Sequence, residues 1–233
     1  MKTFGIIAEG PTDQIVIQNI LIGYFNIDVS SHVKFLQPLL DETDKGQKDT
    51  LGGGWNNVFE YCRSYRFVEA FEQNDYIIIQ IDSDVCEDIN FGVKKTHANG
   101  SMKTEVQLIE SIIDKFVSEV IAAFGELKYE QIKDRIIFAI CINEIECWLL
   151  PIYYTDKIRS ATNNCIYRLN EKIRDEFNCY INKDDKNNME KIYFKISKPY
   201  LKHKILVNRY EDNISLKYFI ESLDSLNISL TSN

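Results

Sequence analysis

The sequence predicts an α/β fold, with a parallel sheet of about four strands flanked by helices and a mainly helical C-terminal extension. Short, strongly apolar segments alternate with longer segments in which apolar residues recur at helical spacing. This alternation is typical of parallel sheets joined by right-handed crossovers. The chain has 233 residues, which suits one generous domain with an appendage better than two full domains. We therefore expect an α/β core over residues 1–154 and a mainly helical extension, packed on that core, over residues 155–233.

Four segments have the composition of buried strands: residues 3–8, 33–37, 75–82 and 135–142. The clearest is DYIIIQID at 75–82, because an almost wholly apolar, β-branched run suits a central parallel strand buried on both faces. In the extension, the sequence near 204–207 predicts a further short strand.

Helical spacing extends from Pro11 to about residue 25, from Trp55 to about Phe71, from Met102 to about Phe124, and over 144–154. Pro11 suits a first helical turn, where its missing N–H costs nothing. Polar connections are expected at 41–54, which is glycine-rich and reads as a flexible loop, and at 85–101.

Charge and cysteine usage exclude several classes of protein. The net charge of −8 argues against a protein that coats nucleic acid by charge alone, although it leaves room for a local basic patch. No apolar run reaches about 18 residues and no secretory signal opens the chain, so we expect a cytoplasmic protein without a membrane span. The six cysteines form no C-x-x-C pair, and we expect reduced thiols rather than disulfides or a zinc site.

Acidic residues follow three of the four predicted strands. Glu9 follows the first, Asp82 and Asp84 follow the third, and Glu144 and Glu146 follow the fourth. Because parallel strands end at the same edge, these carboxylates are expected to meet there, and clustered negative charges need protons or a cation. Each residue alone is equally consistent with a turn or helix cap. Together they predict a site for Mg²⁺ or Mn²⁺, which bind oxygen ligands.

Four other acidic or aromatic residues are not predicted to bind the metal directly. Glu87, Asp88 and Glu110 either support it from a distance or are solvated. Trp148 is expected to pack in the core rather than to stack on a base.

Residues 191–210 form the most basic stretch of the chain and contain no acidic residue. Its candidate nucleic-acid contacts are Lys195, Lys198, Lys202, Lys204 and Arg209. A lysine such as Lys198 or Lys202 would steady negative charge near a bound metal. The alternative is a solvated helix face.

The junction GIIAEGPTD, followed about 70 residues later by IIIQIDSD, resembles the Toprim domain of topoisomerases, primases and OLD-type nucleases. NEIECWLLP and the closing KPYLK and SLKYFIESL segments resemble small stand-alone Toprim-like proteins of bacteria, often found with mobile-element or phage-defence genes. The resemblance implies a Rossmann-like sheet and Mg²⁺ bound by Glu9, Asp82 and Asp84, with Glu146 and Glu144 adding to the site. The family's third alternate acidic position is Cys86 here.

The leading hypothesis is a metal-dependent nuclease that hydrolyses phosphodiesters of DNA or RNA. Glu9, Asp82 and Asp84 would hold the metal, Glu146 would hold a second metal or accept a proton, and Lys198 would steady the developing charge. A role in phage defence or DNA repair, and a separately encoded ATPase partner, are implied by the resemblance alone.

Three alternatives stay open. A nucleotide-sugar glycosyltransferase or a haloacid-dehalogenase-like phosphatase would also use D-x-D, but each leaves Glu9 and the Glu144/Glu146 pair without a role. A regulatory, partner-binding subunit with a degenerate Toprim core is favoured by Cys86.

Overall fold

The computed structural model describes residues 2–38, 54–183 and 188–228. Its strands are β1 (Phe4–Ile7), β2 (Val33–Gln37), β3 (Tyr76–Asp82) and β4 (Ile136–Cys141). They form one sheet of order β2-β1-β3-β4 in which every neighbouring pair is parallel. The predicted α/β fold with about four parallel strands is confirmed. Most of the loop predicted at 41–54 lies outside the described residues.

The described residues form the following α-helices: α1 (Pro11–Phe25), α2 (Trp55–Arg63), α3 (Tyr65–Gln73), α4 (Glu105–Phe124), α5 (Glu126–Ile132), α6 (Leu150–Tyr153), α7 (Cys165–Phe177), α8 (Met189–Ser197), α9 (His203–Val207) and α10 (Ile214–Ser225). The predicted helix at 55–71 is two helices, because Ser64 has extended backbone angles between them. Short 3-10 turns cover Ile145–Leu149, before α6, and Lys198–Leu201, after α8.

The strand predicted at 204–207 is wrong, because these residues belong to α9. The apolar run here has only three residues, Ile205, Leu206 and Val207, and so short a run fits the period of a strand or of a helix. Leu206 is buried in the core, and the neighbouring His203 ring contacts the Gly23 carbonyl of α1 at 2.8 Å.

Alternate residues of the strands face two different apolar clusters, as the pleat of a strand requires. Ile78 belongs to the cluster that α1, α7, α8 and α10 cover. Ile77 and Ile79 belong to the cluster that α2, α3 and α4 cover. Because both faces are covered, the polar ends of the strands are left as the place where a site can form.

The C-terminal extension packs on the core through the first cluster. Trp148 is fully buried and its ring stacks on that of Phe219 at 5.5 Å, which confirms its predicted packing role. Its indole N–H donates to Ser215 Oγ at 2.8 Å. At the far end of α1, the backbones are in contact: a Cβ on Gly23 would lie 1.8 Å from the Tyr200 carbonyl oxygen.

Cys147 and Cys165 form a disulfide, so the prediction that all six cysteines are reduced is wrong for this pair. The first lies in the 3-10 turn after β4 and the second begins α7. Their 18-residue separation matches no recognised spacing, and only tertiary packing joins them. None of the described helices combines the length and the apolar character that a membrane crossing requires.

Candidate metal site at the carboxyl edge of the sheet

Glu9 and Asp82 meet at the carboxyl ends of the adjacent strands β1 and β3. The Asp82 backbone N–H donates to Glu9 Oε1 at 2.7 Å. Gln80, a buried residue of β3, joins both: its amide nitrogen donates to Asp82 Oδ1 at 2.9 Å and its amide oxygen accepts from the Glu9 N–H at 3.1 Å. Gln80 is the only polar residue within the apolar run of β3 before Asp82, which is the signal by which the sequence could have revealed it.

Asp13 is a site residue that the sequence analysis did not assign. It lies in the first turn of α1, four residues after Glu9, and is 8% exposed. Burial, followed by the charges of Glu146 and Glu9, raises the pKa of Asp13 well above its ordinary value. Gly10 leaves room for it, since a Cβ there would lie 3.0 Å from Asp13 Oδ2.

Glu146 reaches the site from the 3-10 turn after β4 and is only 2% exposed. The buried Tyr193 hydroxyl of α8 donates a short hydrogen bond to Glu146 Oε1. The other carboxylate oxygen, Oε2, is buried and has no hydrogen-bond partner among the described residues. Glu144 lies nearer the surface, and its Oε1 accepts from the Ile166 N–H of α7 at 3.2 Å.

Lys183 supplies positive charge at this site. Its ammonium lies 3.3 Å from Glu144 Oε2 and 3.7 Å from Glu146 Oε1. Burial lowers the pKa of Lys183, but the charges of Glu146 and Glu144 outweigh that effect and raise the pKa above its usual range. Lys183 thus stays charged at any pH at which the protein would work.

The carboxylates are under electrostatic stress because one lysine faces several of them. Burial raises the pKa of Glu9 to about 7, and Asp84 adds to the effect. Burial, together with Glu9 and Asp13, raises the pKa of Asp82 well above its ordinary value. Burial also raises the pKa of Glu146, against the opposing effect of Lys183. The carboxyls of Glu9, Asp13, Asp82 and Glu146 therefore favour either a proton or an added cation.

Asp84 lies at the rim of the site and is exposed, and its Oδ1 accepts from the Val85 N–H at 2.8 Å. Cys86 is fully buried in the second apolar cluster, so position 86 does not face the site. Glu87 and Asp88 accept from backbone N–H groups of Lys95 and Asn90 in the connection that follows. Both are exposed, as is Glu110 on α4, so all three are solvated.

The donor set suits a hard divalent cation. Carboxylates from three strand ends and α1 lie near enough to raise one another's pKa, and Glu146 Oε2 is a buried acceptor without a hydrogen-bond partner among the described residues. Within the described ranges, only Glu144, Cys147 and Cys165 bring ligand atoms within 4.8 Å of one another, and the disulfide occupies both of those sulfurs. An ion at the wider acidic site would complete its shell with water, as Mg²⁺ does.

The basic residues predicted from 191–210 lie elsewhere. Lys198 follows Ser197, whose hydroxyl accepts from the Asn19 side chain at 2.8 Å. Asn19 lies about 9 Å along α1 from Asp13. Residues 200–203 contact Gly23, about 15 Å along that helix. The structure therefore brings Lys183, and not Lys198 or Lys202, to the carboxylates.

The remaining members of the basic stretch contact other residues of the extension. The Lys195 ammonium lies over the Phe177 ring at 4.9 Å. Lys204 and Arg209 line a cavity of about 590 Å³ together with Tyr153 and Lys172.

Comparison of the chain with family models, curated proteins and solved structures found no match.

Proposed function

We propose that this protein is a divalent-metal-dependent nuclease that hydrolyses phosphodiester bonds at the acidic site. The observation that carries the proposal is the buried, partnerless Glu146 Oε2 among the raised-pKa carboxyls of Glu9, Asp13 and Asp82. Such an arrangement is unfavourable without a cation and favourable with one. The Toprim-like motifs of the sequence support the same class of reaction.

Glu9, Asp13, Asp82 and Glu146 would hold Mg²⁺ or Mn²⁺, with Asp84 at the rim. When bound, the ion would polarise the scissile phosphate and lower the pKa of an attacking water. Tyr193 fixes one oxygen of Glu146 and leaves the other without a hydrogen-bond partner in the part of the chain that the structure describes.

Lys183 and Glu9 supply chemistry of their own. The permanent charge of Lys183 is placed to offset negative charge that develops on the phosphoryl oxygens. Before metal is added, the pKa of Glu9, about 7, lets it hold or release a proton near neutral pH.

The test is cleavage of labelled DNA and RNA by purified protein with Mn²⁺ or Mg²⁺, compared with Asp82→Asn. We expect the variant to lose at least about 10²-fold in rate, as is usual when a group that stabilises the transition state is removed. The matched control is Asp88→Asn, because Asp88 is exposed, follows the same strand and undergoes the same change of charge. Undiminished cleavage by Asp82→Asn would refute the proposal.

Calorimetry with Mn²⁺ separates this proposal from a regulatory subunit, and a thermal-shift measurement with a nucleotide sugar separates it from a glycosyltransferase. A regulatory subunit with a degenerate core would bind no metal, and a glycosyltransferase would be stabilised by a nucleotide sugar. A separately encoded ATPase partner and a cytoplasmic location remain part of the proposal. Co-purification tests the former, and fractionation of cells tests the latter.

A further inference from the structure

A groove lined by lysine side chains lies between residues 92–94 and the helix α4, in a part of the chain that the charge pattern did not single out. Its volume is about 330 Å³. We call it the lysine groove, and its polar lining consists of Lys94, Lys103, Lys115, Ser111, Ser118 and Asp114.

The lysine groove is connected by hydrogen bonds to the segment that follows Asp82. The Val93 N–H donates to the Cys86 carbonyl at 2.9 Å, so residues 93–95 run beside the residues that follow Asp82. The Lys95 ammonium donates to the backbone carbonyl of Asp84 at 3.1 Å. Residues 93–95 therefore link the groove to the segment that carries Asp84.

Two of the ammonium groups in the groove are not neutralised by contact. Lys103 Nζ donates to the neutral Ser111 hydroxyl at 2.8 Å. Lys94 is exposed and forms no ion pair within the described part of the chain. Lys115 is paired with Glu119, and Asp114 is the one carboxylate of the lining. The groove is thus locally positive in a chain of net charge −8.

The backbone that presents these lysines is held in place. Thr96 pairs with Met102 across an antiparallel bridge, and the Lys103 N–H donates to the Lys95 carbonyl at 2.9 Å. A capping box at Thr104 then starts α4. The lysines are therefore presented from ordered backbone, which lowers the entropic cost of binding.

We infer that the lysine groove binds the phosphate backbone of a nucleic acid strand next to the acidic site. This inference rests on the proposed nuclease function and adds where its substrate lies. A cluster of carboxylates repels phosphates, so a substrate of this kind needs an adjacent positive surface. Ammonium and hydroxyl donors are the groups that contact phosphate oxygens without reading sequence.

The experiment measures binding of labelled duplex and single-stranded DNA and RNA by fluorescence anisotropy, in EDTA so that no cleavage occurs. The test protein is the double variant Lys94→Gln, Lys103→Gln. For duplex DNA, loss of two phosphate contacts lowers the slope of log K against log salt by about 1.8. At about 0.1 M salt, the same loss weakens binding roughly 60-fold.

The matched control is the double variant Lys204→Gln, Arg209→Gln, which removes the same charge from the distant cavity. We expect it to bind within about twofold of the unaltered protein, because its groups lie outside the path of the strand. Equal weakening by both variants, weakening by the control alone, or no binding of any of the four nucleic acids would overturn the inference.

Cleavage by the same variants separates this inference from the proposed function. If the protein binds nucleic acid through Lys94 and Lys103 but never cleaves it, the nuclease proposal is refuted and the binding role of the lysine groove stands. A protein that cleaves, and whose groove variant binds and cleaves as well as the unaltered chain, would end the inference alone.

Discussion

Glutamine at position 9 tests the electrostatic stress at the acidic site directly. The pKa of Glu9 is about 7 in the folded protein against an ordinary value of 4.5. A raised carboxyl pKa means that the folded state holds the proton more tightly than the unfolded state. Its stabilising contribution is complete below about pH 4.5 and is lost as the pH rises through about 7.

The size of the effect follows from that difference in pKa. Ionising Glu9 at pH 8 costs the folded state about 3 kcal/mol, of which about 2.5 kcal/mol develops between pH 5 and pH 8. For a chain of this length, that loss corresponds to a fall in Tm of roughly 5–10 °C. Glutamine cannot ionise, so Glu9→Gln removes this part of the pH dependence.

The assay is thermal unfolding in EDTA at a series of pH values, for the unaltered protein and for Glu9→Gln. Glu9→Gln also weakens the hydrogen bond that Glu9 accepts from the Asp82 N–H. This loss costs about 1 kcal/mol of stability and lowers the Tm of the variant equally at every pH. The variant should therefore have the lower Tm below about pH 4.5 and the higher Tm at pH 8. Parallel curves would refute the reasoning, and Glu87→Gln, at an exposed carboxyl, supplies the control.

Three further predictions concern other parts of the molecule. Lys183→Met should lower the cleavage rate about 10²–10³-fold at saturating Mn²⁺, and an unchanged rate would contradict its assigned role. Cys165→Ser should lower the free energy of unfolding by about 3 kcal/mol in a denaturant titration without reductant, because the disulfide closes an 18-residue loop; six titratable thiols in the unaltered protein would contradict it. Gly23→Ala should lower the free energy of unfolding by about 3 kcal/mol in the same titration, because its Cβ would overlap the Tyr200 carbonyl oxygen; an unchanged free energy would contradict that packing.

The strands and part of the site could be predicted because both depend on local sequence. An apolar, β-branched run such as that of β3 fits a pleated surface buried on two faces, and β2 has the predicted bounds. Glu9 and Asp82 follow such runs directly, so the parallel order of the strands is enough to bring them together.

Asp13 could also have been predicted from the sequence. It stands four residues after Glu9 in EGPTD, within the first turn of the helix that Pro11 begins. A residue there returns to the edge from which the helix starts. An acidic residue in the first turn of a helix is also common without any site, so the sequence pattern at Asp13 is the same for a structural role and for a site role.

Lys183 and the disulfide could not be predicted, because their partners are distant in the sequence and no local pattern marks them. The lysine occurs in a polar segment that resembles any solvated surface, whereas the basic run at 191–210 has the stronger charge signal. That run instead lies along the C-terminal half of α1, where apolar residues such as Tyr200 and Leu206 anchor it in the core.

A series of links positions the lysine against the carboxylates. Cys147 follows Glu146 directly, and its disulfide to Cys165 fixes the start of α7. On α7, the Asn170 side chain accepts from the Ile181 N–H at 2.6 Å and donates to the Ile181 carbonyl at 2.9 Å, two residues before Lys183. Because the cation and its carboxylates are mounted on linked segments, loosening the disulfide should disturb the charge balance of the site as well as the stability of the fold.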